Sequence, residues 1–247
     1  MARAAASSFR HFFALDFVAF FRYNCFKGAL PVGDLENVLI ETMAELIEHR
    51  SAASEGHVGR VRVFVKALLH AIKDAGVYED EIANIDIDLA ACASQLHDVG
   101  KIAVKDGILL KPAALTDAEF ELVKNHTALG GKIIGGMITK AGDCKLLQYA
   151  KVIAETHHER WDGGGYHQGL KGAEIPLLGR VMAIADVYDA LVTKRPYKEA
   201  FTHDKAVEII KNDGGVHFDP VLVQIFVDII CRGNRYPNHN MDKTPQP

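Results

Sequence analysis

His57-Val58-Gly59-Arg60-Val61-Arg62-Val63-Phe64-Val65-Lys66-Ala67-Leu68-Leu69-His70-Ala71-Ile72 sets the period of the chain. Val58, Val61, Phe64, Val65, Leu68, Leu69 and Ile72 recur at steps of three and four, which puts their side chains on one face of an α-helix. The same period runs upstream through Val38, Leu39, Met43, Leu46 and Ile47, with Asp34 placed to cap that helix. Downstream, Tyr78 to His97 reads as a third helix, and Thr116 with Glu119 forms a capping box opening a fourth. Short helices are expected over 127–139 and 144–157, broken by Gly135-Gly136 and Gly142. Gly163-Gly164-Gly165 must be a loop, because consecutive glycines are costly inside a helix. A long apolar helix over 177–192 and helices near 202–212 and 219–232 complete the reading. No stretch alternates with period two for long, so the expectation is an all-α domain over 34–232.

Both ends differ from this middle. Seven of the twelve phenylalanines fall at 9, 12, 13, 17, 20, 21 and 26, and the spacing 9, 13, 17, 20 is helical. Residues 1–33 therefore read as a linker or docking helix, with a membrane-surface or dimer helix as the alternative. Residues 233–247, carrying Pro237, Pro245 and Pro247, read as a loose tail.

Composition excludes several classes. With 28 Lys and Arg against 32 Asp and Glu, a net charge of −4 argues against nucleic-acid binding through bulk charge. No apolar run exceeds five residues, Phe17 to Phe21 being one, far short of the ~18 of a membrane span. Four cysteines with no CxxC pair read as reduced thiols in a cytoplasmic protein. The 12 histidines are the outlying number, and their placement carries the chemistry.

His97-Asp98 ends an apolar stretch and runs into Val99-Gly100-Lys101, an expensive place for an ionisable pair without a partner. His203-Asp204 has the same dipeptide but opens an amphipathic helix behind Thr202, where capping explains it. His157-His158-Glu159 is followed at once by a glycine loop, Asp162 and Tyr166; adjacent histidines diverge by about 100° in a helix, so shared ligation needs a helix end. Asp186 sits in a helix apolar nearly all round and is expected on a dry face, where a carboxylate is paired or bound to metal. His57 and His126, taken singly, read as satisfied or exposed histidines as readily as ligands.

Taken together, His57, His97-Asp98-x-Gly100-Lys101, His126-x3-Gly130, His157-His158-Glu159-x2-Asp162-Gly163-x-Gly165-Tyr166 and Ala185-Asp186-x-Tyr188-Asp189-Ala190 resemble the HD-GYP family, a branch of the HD-domain metal phosphohydrolases. Leu109-Leu110-Lys111-Pro112, Leu115-Thr116-x2-Glu119-Phe120, Arg195-Pro196-Tyr197-Lys198 and His217-Phe218-Asp219-Pro220 extend the resemblance over about residues 38 to 230. It implies a helical bundle around a binuclear metal site. It also implies hydrolysis of the bacterial second messenger cyclic di-GMP to linear pGpG, GMP or both, with a hydroxide bridging the ions as nucleophile.

On that resemblance Asp98 bridges the ions; His57, His97 and Asp186 complete one and His126, His157 and His158 the other. Lys101, Tyr166, Arg195 and Lys198 would contact substrate, Asp98 and Lys101 being the catalytic pair. A donor set of imidazoles and carboxylates suits two divalent transition metals, iron first and manganese second. Two ions rather than three are expected, because position 53, one turn before His57, is Ala and Glu55 points to the opposite face. The triplet Gly165-Tyr166-His167 departs from Gly-Tyr-Pro, which should loosen the loop and puts substrate choice in question. Alternative readings are a phosphohydrolase for another cyclic dinucleotide or nucleotide, and a weakly active module that senses the dinucleotide. Such a module could dock a signalling partner or a second copy through the 165–167 loop or the N-terminal helix.

Overall fold

The structure is a computed structural model and describes residues 32–50, 56–194 and 199–231. The expectations for residues 1–31, the C-terminal tail, Ala53, Glu55, Arg195 and Lys198 lie outside the described residues. The chain divides into two units, Met1–Thr42 and Met43–Pro247. In the first, the described residues belong to the opening turns of helix α1 (Val32–Arg50), which begins before Asp34, so Asp34 is not its cap.

The second unit is all-α: no strand occurs among the described residues, and Gly214 and Phe218 form an isolated bridge. Its helices are α2 (His57–Ala75), α3 (Glu79–Ile82), α4 (Ile87–Ala93), α5 (Asp106–Leu109), α6 (Asp117–Lys124), α7 (His126–Ala141), α8 (Lys145–Thr156), α9 (Leu177–Val192), α10 (His203–Asn212) and α11 (Pro220–Cys231). The quoted periodicity becomes the inner face of α2, where Val58, Val61, Val65, Leu68, Leu69 and Ile72 are buried. Each such aliphatic side chain contributes roughly 1.5–3 kcal/mol on leaving water. Helix α9 is buried nearly all round and packs against α2, α8 and α10, while α8 also packs on α4 and α7. A buried ion-pair network ties α9 outward: Arg180 reaches Asp219 Oδ2 at 2.9 Å and Glu81 Oε2 at 2.6 Å.

Two expectations about helices change. Residues 78–97 are not one helix: Asp86 accepts from the Leu89 amide and caps a new helix, α4, separate from α3. Beyond Ala93 the chain tightens into 3₁₀ turns, Ser94–Leu96 and Val99–Ala103. That tightening places His97 and Asp98 at a corner rather than along a helix face. Conversely, α7 runs unbroken through Gly135-Gly136 and ends at Gly142. The capping box at Thr116 and Glu119 forms as expected.

Gly100 fixes how closely the second 3₁₀ turn approaches α7. A Cβ there would lie 1.9 Å from the His126 carbonyl oxygen and 2.6 Å from the Gly130 nitrogen. Only a glycine lets these two backbones touch, and the contact brings His97, Asp98 and His126 to one place.

Candidate metal centre

Seven side chains able to ligate a metal converge from five elements. His57 opens α2, His97 and Asp98 lie between the 3₁₀ turns, His126 opens α7, His157 and His158 follow α8, and Asp186 projects from α9. They form two groups whose ligand atoms all lie within 4.8 Å of one another: His57, His97 and Asp186, and His126, His157 and His158. Asp98 stands between them, with Oδ2 3.3 Å from His97 Nε2 and Oδ1 3.2 and 3.8 Å from the Nε2 atoms of His126 and His157. One carboxylate oxygen thus faces each group. Asp186 is half-buried rather than dry, its Oδ1 3.4 Å from His57 Nε2.

The tautomers follow from the partners of the other ring nitrogens. His97 Nδ1 donates to the Ser94 carbonyl at 3.0 Å, His126 Nδ1 to Val123 at 2.8 Å, and His157 Nδ1 to Ile153 at 3.0 Å. His57 Nδ1 donates to Asp189 Oδ2 at 2.7 Å. Carbonyl and carboxylate oxygens only accept, so each Nδ1 carries a hydrogen, and each Nε2 offers a lone pair whenever its ring is neutral. The Nε2 atoms of His126 and His157 are only 3.3 Å apart, two acceptors facing each other. Buried His97 Nε2 and Asp98 Oδ1 make no hydrogen bond of good geometry. Lys101 donates to Asp98 Oδ2, but the converging Nε2 atoms and Asp98 Oδ1 face one another with no such donor between them, so the residues fit divalent metal.

Electrostatics agree for His157 and His158. Burial and the neighbouring His97 push His157 down to about 3, and burial with His157 and His126 holds His158 well below its usual value. Both rings are therefore neutral and ready to ligate. Burial opposes a charge on Asp98, but Lys101 and His97 outweigh it and keep the carboxyl ionised. Burial likewise opposes a proton on His97, yet Asp98 lifts it to about 9, so a proton competes with any cation for that nitrogen. Lys101 pairs with Asp98 Oδ2.

The sequence reading gave no role to three residues here, Asp189 and Glu159 entering it only as motif positions. Asp189 is fully buried, and besides His57 it receives Arg60 Nε at 2.6 Å and Nη2 at 3.1 Å. Burial would raise its pKa, but His57 and Arg60 hold it below the usual carboxylate range. It fixes the ring that faces Asp186, the usual task of a carboxylate behind a ligating histidine. Its signal was its place, one helical turn beyond Asp186. Glu48, buried on α1, lies with Oε1 3.9 Å from His57 Nε2; burial, opposed by His57 and His97, raises it to about 7. Nothing local marks it, since nine positions separate it from His57. Glu159, read only as part of a motif, accepts the amides of Gln168, Gly169 and Leu170 at 2.7, 3.2 and 3.0 Å. It therefore shapes the loop that presents Tyr166, whose ring stacks on His158 at 4.9 Å and 29°.

His167 does not leave that loop untied. Thr127 Oγ1 donates to the Lys124 carbonyl, so His167 Nδ1 donates to Thr127 Oγ1 at 3.1 Å and links the loop to α7. His203, away from the cluster, shares a 2.7 Å hydrogen bond with the Tyr188 hydroxyl, while Thr202 caps α10 as expected.

The HD domain family matches residues 41–222. A cyclic di-GMP phosphodiesterase of Vibrio cholerae is 42% identical over 193 residues, 78% of this chain and 39% of the relative. A 3′3′-cGAMP-specific phosphodiesterase 2 of the same organism is 40% identical over 190 residues, 77% of this chain and 34% of the relative. The chain therefore spans well under half the length of these two relatives. Among solved structures, Bd1817, an HDG"Y"P protein from Bdellovibrio bacteriovorus, superposes with a TM-score of 0.51 at 19% identity, covering 71% of this chain and 51% of that one. No helix among the described residues is long and apolar enough to cross a membrane. With the matched span embracing all seven converging side chains, the chain belongs to the HD domain family.

Proposed function

We propose that the protein is a metal-dependent phosphodiesterase that opens cyclic di-GMP to linear pGpG, GMP or both. The observation that carries this reading is Asp98, whose two carboxylate oxygens face two separate ligand groups 3.2–3.3 Å away. His57, His97 and Asp186 would hold one divalent ion and His126, His157 and His158 the other, with Asp98 shared. We favour iron, with manganese second, on the imidazole-rich donor set. Bound there, the pair of ions supplies an acidified water and charge neutralisation for a phosphodiester.

The chain's own groups do the rest. The Nδ1–H bonds hold the Nε2 lone pairs in place before substrate arrives, so little reorganisation is needed on binding. Lys101, beside Asp98, places a cation where a phosphate oxygen would lie. Tyr166 walls the His158 side, and its hydroxyl stays protonated because burial and the Asp98 and Asp186 charges raise its pKa. Arg195 and Lys198 are proposed to hold the phosphates, as local cations in a chain of net charge −4. A second reading, another cyclic dinucleotide as substrate, is favoured by the similarity to the cGAMP-specific relative and by His167 in the altered triplet.

The test is elemental analysis and nucleotide turnover on one anaerobically purified sample. Two equivalents of transition metal with cyclic di-GMP cleavage lost on chelation are expected. Turnover unaffected by complete metal removal would overturn the assignment. Faster cleavage of 3′3′-cGAMP would transfer it to the second reading.

A further inference from the structure

Helix α6 contributes no buried residue to the core, and Phe120 on it is 45% exposed. A single exposed phenylalanine is ordinary. This one is not isolated. Its ring meets Tyr166 edge-on at 6.5 Å and 80°, and Tyr166 stacks in turn on His158. Lys124 Nζ lies 5.0 Å from the Phe120 centroid and 5.5 Å from that of Tyr166, a cation held over both rings. Its pairing with Glu121 Oε1 at 2.6 Å is an exposed one, weak enough to yield to a ligand. An aromatic track with an ammonium on it thus leads outward from the His126, His157 and His158 group.

Resting on the reading as a cyclic-dinucleotide phosphodiesterase, we propose that Phe120 and Lys124 form a nucleobase subsite that stacks a guanine of the substrate. A base has a π-face for Phe120, and sequence-tolerant stacking on exposed aromatics is how loose nucleotides are commonly held. Lys124 carries donors only. It therefore matches the O6 and N7 acceptors that guanine presents on one edge, whereas adenine offers N7 beside the N6 amino donor. Continuity fixes the occupant: the track begins at Tyr166, against the ligand cluster where the phosphodiester would lie, and ends at Phe120 and Lys124.

The experiment compares metal-loaded wild type with Phe120→Ala, Phe120→Tyr and Lys124→Gln. Cyclic di-GMP, cyclic di-AMP and methyl p-nitrophenyl phosphate, a diester without a nucleobase, are the substrates. Loss of one stacked base corresponds to roughly a five- to hundredfold rise in KM. Phe120→Ala should show that rise for both dinucleotides, Phe120→Tyr should restore binding, and metal content and cleavage of the simple diester should not change. Lys124→Gln should raise KM for cyclic di-GMP more than for cyclic di-AMP. An unchanged KM for dinucleotides in Phe120→Ala would overturn the subsite while leaving the phosphodiesterase reading intact. Equal effects of Phe120→Ala on the simple diester would overturn it too, by showing a general disturbance of the site. A wild type that cleaves the simple diester but neither dinucleotide would overturn the parent reading, and the subsite with it.

Discussion

Asp189→Asn separates the part of the site that orients from the part that ligates. Asp189 is fully buried, and among the described residues the member of the ligand set it hydrogen-bonds is His57, at 2.7 Å. Asparagine keeps the shape but loses the charge. Its amide can present either an oxygen or an NH₂ to His57 Nδ1, so the tautomer with Nε2 unprotonated is no longer enforced. Replacing an outer carboxylate behind a ligating histidine typically costs 10–100-fold in metal affinity. At about 1.4 kcal/mol per tenfold, that is roughly 1.4–2.8 kcal/mol, drawn from a single ligand. Asp189 is bonded to His57 of one group only, so one equivalent of metal should weaken and the other hold. Chelator competition on anaerobically loaded protein reads both equivalents, and thermal unfolding of the metal-free variant checks that the fold survives. Two equivalents bound as tightly as in wild type, in a protein with an unchanged transition, would refute the argument that Asp189 prepares His57.

Three further outcomes follow from particular contacts. Asp98→Ala should abolish cleavage and lower the content of both ions, because its two oxygens face both groups; His203→Ala should keep metal and activity, losing only about 1 kcal/mol of stability with the Tyr188 bond. Glu159→Gln should keep full metal but lower kcat/KM, since one amide oxygen cannot serve the three backbone donors of Gln168, Gly169 and Leu170; elemental analysis beside steady-state kinetics checks the split. Gly100→Ala pushes a methyl against the backbone of α7 and should cost at least about 1–3 kcal/mol while displacing His126, visible as a lowered denaturation midpoint together with lost metal.

The helical class was legible because it is carried by local spacing: the α2 face, the Thr116 cap and the whole of α9 follow from residues three and four apart. The candidate ligand residues, which the structure brings together, were picked out by a different signal, their ordered motif, which His57 and His126 needed because neither stands out alone. What failed was local too. Tyr78 to His97 kept a helical rhythm, but Asp86 restarts the chain and the 3₁₀ turns re-aim His97, a choice made by packing against α7. Loss of Pro at 167 read as a looser loop, whereas Thr127, forty residues away, supplies a tie that no neighbour in sequence announces.

Sequence by itself therefore determined which residue types are present and in what order: five histidines and two aspartates in a helical frame. Only the tertiary structure decided that Asp98 turns one oxygen to each group, that Asp189 rather than water holds His57, and that Glu48 stands beside it. The physical reason is that hydrophobic period and capping act within a turn or two of chain, while lone-pair direction depends on the partner of the other ring nitrogen. For His57 that partner lies 132 residues away.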